Sequence, residues 1–144
     1  MIPEMRPARL FADTSFFYAA LDPEDASHPT ARKTVEWIAI TNTRIVTTWE
    51  VIVETVTLLR NRYSYAAAIG FIQKTLPTVQ LINITQSDRE ESLQLFKKLA
   101  SDKELSLCDV ISYLVVKKYL RHAPCLAFDD DFWTLGLTPF QLPQ

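Results

Sequence analysis

Hydrophobic and polar positions along the chain alternate between short β-branched runs and longer segments with helical periodicity. The short runs predict strands at residues 9–12, 44–47, 79–84 and 125–128, and a last edge strand at 139–142. The longer amphipathic segments separate these strands. Strands that alternate with helices are typical of an α/β fold with a mostly parallel central sheet.

The helical segments have recognisable starts and stops. The predicted helices cover residues 16–21, 29–40, 49–62, 64–76, 87–98, 106–120 and 130–135. Asp13 precedes the first of them, and Pro77 stops the fourth. Ser87 and Glu90 have the spacing of a capping box, in which each residue binds the backbone N–H of the other. We therefore expect Ser87 to mark the start of its helix.

Composition bounds the size and the location of the protein. With 144 residues, 48% hydrophobic and 22% charged, the chain predicts one globular domain over residues 1–144, with an N-terminal tail at 1–7. No apolar run is long enough for a membrane span or a signal-peptide core, so we expect a cytoplasmic protein with reduced thiols at Cys108 and Cys125. The two glycines are too few for a phosphate-binding glycine-rich loop.

Four acidic residues stand within apolar runs or directly after them: Asp13, Glu54, Asp109 and Asp129. Asp13 and Asp129 follow predicted strands, and open parallel sheets bind ligands beyond the carboxyl ends of their strands. Asp109 begins an otherwise apolar helix, and Glu54 lies in a helix that is apolar over most of its circumference. Because a buried carboxylate is costly unless it is paired or metal-bound, these settings indicate a shared site.

Each acid also has a structural explanation when it is taken alone. An aspartate after a strand can cap the next helix, and an acid in a first helical turn offsets the helix dipole. The polar stripe that Glu54 shares with Glu50 can face water, so Glu50 competes for the same role. The run of three aspartates at 129–131 leaves Asp131 as an alternative to Asp129.

The chemistry that these acids indicate is that of a hard metal ion. Carboxylate oxygens favour Mg²⁺ or Mn²⁺ over Zn²⁺. His28 and His122 lack the partners of a catalytic base and are predicted to be surface residues. The net charge is −2, and setting the four acids aside leaves a slight excess of bases, which permits a phosphate-bearing substrate.

Four short motifs follow one another along the chain. They are Phe-Ala-Asp-Thr-Ser-Phe-Phe at 11–17, Glu54 in a helix after Thr-Thr at 47–48, Leu-Cys-Asp-Val-Ile-Ser at 107–112, and Ala-Phe-Asp-Asp-Asp-Phe at 127–132 with Gly136 beyond. In order and spacing they resemble the motifs of PIN-domain nucleases, a group that includes the VapC-type toxins of toxin–antitoxin pairs. The resemblance covers essentially the whole chain after Pro7.

The resemblance implies a three-layer α/β/α fold and a metal-dependent ribonuclease that hydrolyses RNA phosphodiester bonds. It implies that the protein is a toxin whose partner is a separate antitoxin protein. Asp13, Glu54 and Asp109 match the best-defined acids of the family, and Asp129 matches the more variable fourth acid. Ser15 matches a small polar residue beside the first acid.

An RNA substrate would need basic or aromatic contacts around these acids. Arg60, Arg62 and Tyr63, at the end of the Glu54 helix, are the nearest candidates in sequence, although basic residues at a helix C-terminus also offset the helix dipole. A homodimer is expected from the family and from apolar helix surface around Ile69, Phe71 and Ile72.

Other functions fit the chain less well. A non-catalytic PIN-like module that binds nucleic acid or regulates is the main alternative, and the complete set of acids argues against it. A phosphoacceptor receiver domain would want paired acids at the end of the first strand, and a dehalogenase-type phosphatase would want an aspartate at position 15. Here Asp13 is followed by Thr14 and Ser15.

Overall fold

A parallel β-sheet forms the centre of the fold. The structure, a computed structural model, describes residues 7–143, so the predicted tail lies outside the described residues except for Pro7. In this part of the chain the sheet has the strand order β3-β2-β1-β4, and every pairing within it is parallel. The strands are β1 (Arg9–Ala12), β2 (Arg44–Thr48), β3 (Val79–Ile82) and β4 (Cys125–Leu126).

Helices connect the strands in pairs. They are α1 (Thr14–Leu21), α2 (His28–Thr41), α3 (Trp49–Arg62), α4 (Tyr65–Gly70), α5 (Gln86–Leu99), α6 (Leu107–Tyr119) and, after β4, α7 (Asp130–Trp133). Crossovers between parallel strands are right-handed, and the chain reverses its direction across the sheet after β3. Helices α1 to α4 therefore cover one face of the sheet, and α5 and α6 cover the other. This confirms the predicted three-layer α/β/α fold.

Apolar side chains between the layers form one buried cluster. Phe11 of β1, Val46 of β2 and Val115 of α6 are completely buried. The ring of Phe17 on α1 meets the ring of Phe71 edge to face, with 5.2 Å between their centroids. This packing holds β1, β2 and β4 in register, and their carboxyl ends lie along one edge of the sheet.

Residues 64–76 do not form the single helix that their periodicity predicts. Helix α4 ends at Gly70, Phe71–Thr75 form a π-helical turn, and Leu76–Thr78 form a 3₁₀ turn that contains Pro77. Because Phe71 is fully buried in the core, tertiary packing outweighs the local helical preference here. The predicted dimer surface is therefore wrong at Phe71, while Ile72 is 39% exposed and the homodimer stays a prediction.

The predicted strands near the C-terminus are shortened. Residues 139–142 do not form an edge strand, because only Pro139 makes a bridge, to Cys125. The segment is held by two backbone hydrogen bonds, from the Cys125 N–H to the Thr138 carbonyl at 2.8 Å and from the Phe140 N–H to the Cys125 carbonyl at 2.9 Å. The ring of Phe140 then packs on Trp37 of α2, with 4.9 Å between centroids.

The histidines differ from each other. His122 is exposed, as predicted. His28 is partly buried, and its Nδ1 atom lies 2.7 Å from the carbonyl of Ala19, a contact that the sequence did not predict. His28 thus connects the start of α2 to α1.

Among the described residues, no helix is both long enough and apolar enough to cross a membrane.

Helix α5 has its capping box two residues before the predicted one. Asp88 Oδ2 accepts from the Thr85 N–H, and Thr85 Oγ1 accepts from the Asp88 N–H, both at 3.0 Å. Asp88 is fully buried and also accepts hydrogen bonds from Lys118 and Tyr119 of α6. Burial alone would raise the pKa of Asp88, but these hydrogen bonds outweigh it and hold the pKa far below its usual range. This carboxylate joins α5 to α6.

We expect Asp88→Asn to lower the free energy of unfolding by about 1.5–3 kcal/mol near neutral pH, because hydrogen bonds to a buried charge are lost. The folded-state pKa of Asp88 lies below its unfolded value. The stabilisation is therefore complete above about pH 4 and is lost as the pH falls toward the folded-state pKa. Urea denaturation of both proteins over this pH range measures the difference.

Asp102→Asn is the matched control, since the Asp102 side chain is 76% exposed and pairs only with Lys103 at 3.3 Å. Surface pairs of this kind contribute little to stability. A loss for Asp88→Asn no larger than that for Asp102→Asn would contradict the assigned role.

Candidate active site

The four predicted acids lie in one open cleft of about 460 Å³ at the carboxyl edge of the sheet. Asp13 follows β1, Asp129 follows β4, Glu54 lies on α3 and Asp109 lies in the first turn of α6. The cleft is lined by Asp13, Thr14, Ser15, Tyr18, Asp25, Ser27, Glu54, Leu58, Arg62, Glu104, Ser106, Asp109, Phe128 and Asp129. The parallel topology thus brings together acids that are up to 116 positions apart in the chain.

Asp13 is the most buried of these acids, with 3% of its surface exposed. As the N-cap of α1, its Oδ2 accepts from the Ser15 N–H at 3.2 Å and from the Ser15 hydroxyl at 2.8 Å. Its Oδ1 is buried and has no hydrogen-bond partner among the described residues. Burial raises the pKa of Asp13 to about 6; the Ser15 hydrogen bonds oppose the rise, and the charges of Asp109 and Glu54 add to it.

Ser15 links this acid to the other side of the cleft. Its hydroxyl donates to Asp13 and accepts from the Phe128 backbone N–H at 2.9 Å. Phe128 directly precedes Asp129, so one hydroxyl connects the two strand ends that carry acids. Ser15 is therefore placed to hold the Asp13 carboxylate in a fixed orientation.

Asp109 is both a capping residue and a member of the cleft. Its Oδ2 accepts from the Ser106 N–H, and the Ser106 hydroxyl accepts from the Asp109 N–H, both at 3.0 Å. Burial raises the pKa of Asp109; the hydrogen bonds with Ser106 lower it, and the charges of Asp129 and Glu54 raise it further. The capping explanation for Asp109 is thus correct, but it leaves the acid facing its neighbours in the cleft.

The structure separates the alternatives that the sequence leaves open. Asp129 lines the cleft, and its Oδ1 accepts from the Asp131 N–H at 3.0 Å as the N-cap of α7, whereas Asp131 does not line the cleft. On α3, Glu54 lines the cleft and Glu50 does not. The roles of Asp129 and Glu54 remain predictions, but the geometry favours each over its competitor.

The same helix also separates the two arginines. Glu54, Leu58 and Arg62 are spaced by four residues and line the cleft from one face of α3. Arg60 does not line the cleft, and its guanidinium carbon lies 5.8 Å from the ring centroid of Tyr65. Only Arg62 of this pair is therefore positioned beside the acids.

Periodicity does not find three of the residues that line the cleft. Asp25 and Ser27 lie in the turn between α1 and α2, and Glu104 lies in the loop before α6. Loop residues carry no helical or strand period that would point to one face. Only the close chain positions of Glu104 and Asp109 give a hint, and the fold is needed to interpret it.

Comparison with known proteins identifies the family. The family model described as PIN domain matches residues 10–135, a span that contains all four acids of the cleft. The chain belongs to the PIN-domain family.

Two relatives from strains of Mycobacterium tuberculosis, each named 23S rRNA-specific endonuclease VapC20, are 34% identical to this PIN domain over 128 residues. Those matches cover 88% of this chain and 94% of the relative. The crystal structure of M. tuberculosis VapC20, described as a sarcin–ricin loop cleaving toxin, superposes with a TM-score of 0.77 at 28% identity. It covers 91% of this chain and 98% of the VapC20 chain.

The residues of this PIN domain fit a hard metal ion by their chemistry. The donors are carboxylate oxygens, and in the described part of the chain the buried Asp13 Oδ1 lacks the partner that a buried charged oxygen requires. Within residues 7–143, no three acidic, histidine or cysteine side chains are grouped closely enough to form a ready-made ion site.

The cysteines do not offer a nucleophile. Cys108 and Cys125 are free thiols. Burial raises the pKa of Cys108, as do the charges of Glu54 and Asp13, and burial raises the pKa of Cys125 to about 12. Both thiols are therefore protonated near neutral pH.

Without metal ions, we expect Asp13→Asn to raise the free energy of unfolding by roughly 2–3 kcal/mol near neutral pH, because a poorly solvated charge is removed. The pKa of Asp13 is raised to about 6 in the folded state. The advantage of the variant should therefore be absent below about pH 4 and should grow as the pH rises to about 6. Urea denaturation in the presence of a chelator measures it.

Asp130→Asn is the control, since Asp130 is exposed and does not line the cleft. An Asp13→Asn variant that is less stable than the wild type at every pH would show that the charge of the Asp13 carboxylate does not destabilise the folded state.

Proposed function

We propose that this PIN-domain protein is a metal-dependent endoribonuclease that hydrolyses phosphodiester bonds in RNA. The observation that carries the proposal is the convergence of Asp13, Glu54, Asp109 and Asp129 on one cleft, where Asp13 Oδ1 is buried and has no hydrogen-bond partner within residues 7–143. The similarity to the 23S rRNA-specific endonuclease VapC20 over most of both chains supports it.

The four acids and Ser15 would have different roles in metal binding and hydrolysis. Asp13 and Asp109 would be the principal ligands of Mg²⁺ or Mn²⁺, Glu54 a ligand or the base that orients water, and Asp129 would complete the site. A divalent ion held there would lower the pKa of bound water and offset the charge that develops on the phosphate. Ser15 would keep Asp13 oriented through its 2.8 Å hydrogen bond.

The relatives also suggest a substrate and a partner. The curated relative is named for its action on 23S rRNA, and the solved structure is described as a toxin that cleaves the sarcin–ricin loop. We propose that this chain is likewise the toxin of a toxin–antitoxin pair, with a separate antitoxin protein as partner and ribosomal RNA as the first substrate to test. A cytoplasmic location and a single domain belong to the same proposal.

A non-catalytic PIN-like module is the alternative. Such a module would bind RNA but would have no use for four acids that repel one another. The cost that the buried Asp13 carboxylate imposes on the fold argues for cleavage, since a module that only binds gains nothing from it.

RNA cleavage tests the proposed reaction. We expect the wild type to cut ribosomal RNA with Mg²⁺ or Mn²⁺ and to stop when a chelator is added. Asp109→Asn should lower the rate by roughly 100-fold or more, since even residues that only support a metal ligand cost 10–100-fold when changed. Glu54→Gln should also lose activity.

Matched controls separate the site from general effects of charge. Asp130→Asn and Glu50→Gln remove nearby acids that do not line the cleft, and both should cut like the wild type. Thermal melting of each variant checks that it is folded. Equal cutting by Asp109→Asn and the wild type, or cutting that survives chelation, would overturn the mechanism, and binding without any cutting would favour the alternative.

Metal binding can be tested apart from cleavage. An ion that binds only the folded protein stabilises it, by about 2.7 kcal/mol when its concentration is 100 times the dissociation constant. We therefore expect Mg²⁺ or Mn²⁺ to raise the melting temperature of the wild type but not that of Asp13→Asn. Thermal unfolding monitored by circular dichroism measures both. The absence of any shift for the wild type with either ion would count against a shared metal site.

A further inference from the structure

The cleft has a second end, away from Asp13, Glu54, Asp109 and Asp129. Tyr18 of α1 and the residues Leu58 and Arg62 of α3 line it there. Tyr18 comes five residues after Asp13, and Arg62 comes eight residues after Glu54. At about 1.5 Å of rise per residue, these side chains are displaced from the acids by roughly 7 to 12 Å along their helices. That distance suits a nucleotide next to the one that is cut.

The Tyr18 ring is held in place at this end. Its hydroxyl donates to Asp22 Oδ2 at 2.6 Å, and Asp22 Oδ1 accepts from the Glu24 N–H at 3.0 Å. Burial and the hydrogen bond to Asp22 raise the pKa of Tyr18 to about 12, and the nearby Arg62 charge opposes part of the rise. The ring itself is only partly buried. Its orientation is therefore fixed before any ligand binds.

Arg62 brings a positive charge to this end, where the charge of Asp25 also acts on Tyr18. Among residues 7–143, Arg62 is the one cation that lines the cleft, beside six acids: Asp13, Asp25, Glu54, Glu104, Asp109 and Asp129. Arg62 makes no salt bridge within residues 7–143. A polyanion that reaches the acids would be repelled by most of the walls and attracted at this point.

We propose that Tyr18 and Arg62 form a nucleotide subsite, in which the Tyr18 ring stacks on an unpaired base and Arg62 binds the phosphate of the nucleotide flanking the cut. The subsite rests on the proposed ribonuclease function and adds to it the two residues that would position the nucleotide flanking the cut. An aromatic face beside a cation is the usual means of binding single-stranded RNA. Leu58 lines the cleft beside the two side chains and gives the subsite an apolar wall.

A purely structural role for Tyr18 is the competing explanation. Its bond to Asp22 joins the last turn of α1 to the residue that caps it. That role accounts for the hydroxyl but leaves the partly exposed ring in the cleft unexplained. It also predicts that changes at Tyr18 act on stability alone and not on RNA.

RNA binding without cleavage tests the subsite. Fluorescence anisotropy with a short labelled single-stranded RNA, in the Asp109→Asn background with Mg²⁺, gives the dissociation constant. We expect Tyr18→Leu to weaken binding roughly 5- to 100-fold, which is the range for losing one base–aromatic stack. Tyr18→Phe, which keeps the ring and loses the bond to Asp22, should lie between Tyr18→Leu and the parent.

The arginines supply a matched pair on one helix. Arg62→Gln should weaken binding and reduce the slope of log K against log salt by about 0.7, the value for one phosphate contact on a single strand. Arg60→Gln removes the same charge outside the cleft and should leave the affinity close to that of the parent.

Abasic RNA separates stacking from stability. In a series of RNAs that each lack one base, the effect of Tyr18→Leu should disappear for the RNA that lacks the stacked base, and a structural role would not produce this dependence. Equal affinities for Tyr18→Leu and the parent, an equal loss for every abasic RNA, no RNA binding by the parent, or equal losses for Arg60→Gln and Arg62→Gln would each overturn the subsite.

The two proposals fail in distinguishable ways. If the wild type binds RNA and shows the Tyr18 dependence but never cuts with Mg²⁺ or Mn²⁺, the ribonuclease proposal fails and the nucleotide subsite stands. If RNA cleavage depends on Asp109 while RNA affinity does not change on substitution of Tyr18 or Arg62, the ribonuclease proposal stands and the subsite proposal fails.

Discussion

The buried carboxylate of Asp13 is the constraint on which the rest of the site depends. It lies where β1 ends and α1 begins, with one oxygen bound by Ser15 and the other without a partner among the described residues. Because the Ser15 hydroxyl also accepts the Phe128 N–H, the same unit holds the end of β4 against α1. The position of Asp129 therefore follows from the hydrogen bonds around Asp13.

Two buried aspartates show that the surroundings of a carboxylate decide whether its charge stabilises the fold. Asp88 is fully buried, but Lys118, Tyr119 and Thr85 donate to it and keep its pKa below the usual range. Asp13 is nearly as buried, yet among the described residues only Ser15 donates to its side chain, and its pKa is raised to about 6. The first charge stabilises the contact of α5 with α6, whereas the second destabilises the fold and leaves an oxygen available to a cation.

The two ends of the cleft differ in chemistry. Asp13, Glu54 and Asp109 gather at the carboxyl edge of the sheet, while Tyr18 and Arg62 lie farther along α1 and α3. Acids that bind a metal ion repel a nucleic acid until the ion is present, so a nuclease of the PIN-domain family needs an attractive surface elsewhere. Among the described residues that line the cleft, Arg62 is the one cation that could supply it.

The sequence alone determined the alternation of strands and helices, because apolar periodicity reflects burial on one face of an element or on both. It also pointed to Asp13 and Asp109, since a carboxylate in apolar surroundings requires a structural or functional explanation. It did not predict the break at Phe71 or the capping box at Thr85 and Asp88, where packing in the core and contact with α6 outweigh local preference.

Only the tertiary structure decided which side chains share the cleft. Glu50 and Glu54 belong to one polar stripe, and Arg60 and Arg62 to one helical turn, so spacing along the chain could not separate either pair. The packing of α3 beside α1 turned Glu54 and Arg62 into the cleft and left Glu50 and Arg60 outside it. A periodic pattern shows that a helix has a buried face, but the choice of neighbour for each side chain depends on contacts between distant parts of the chain.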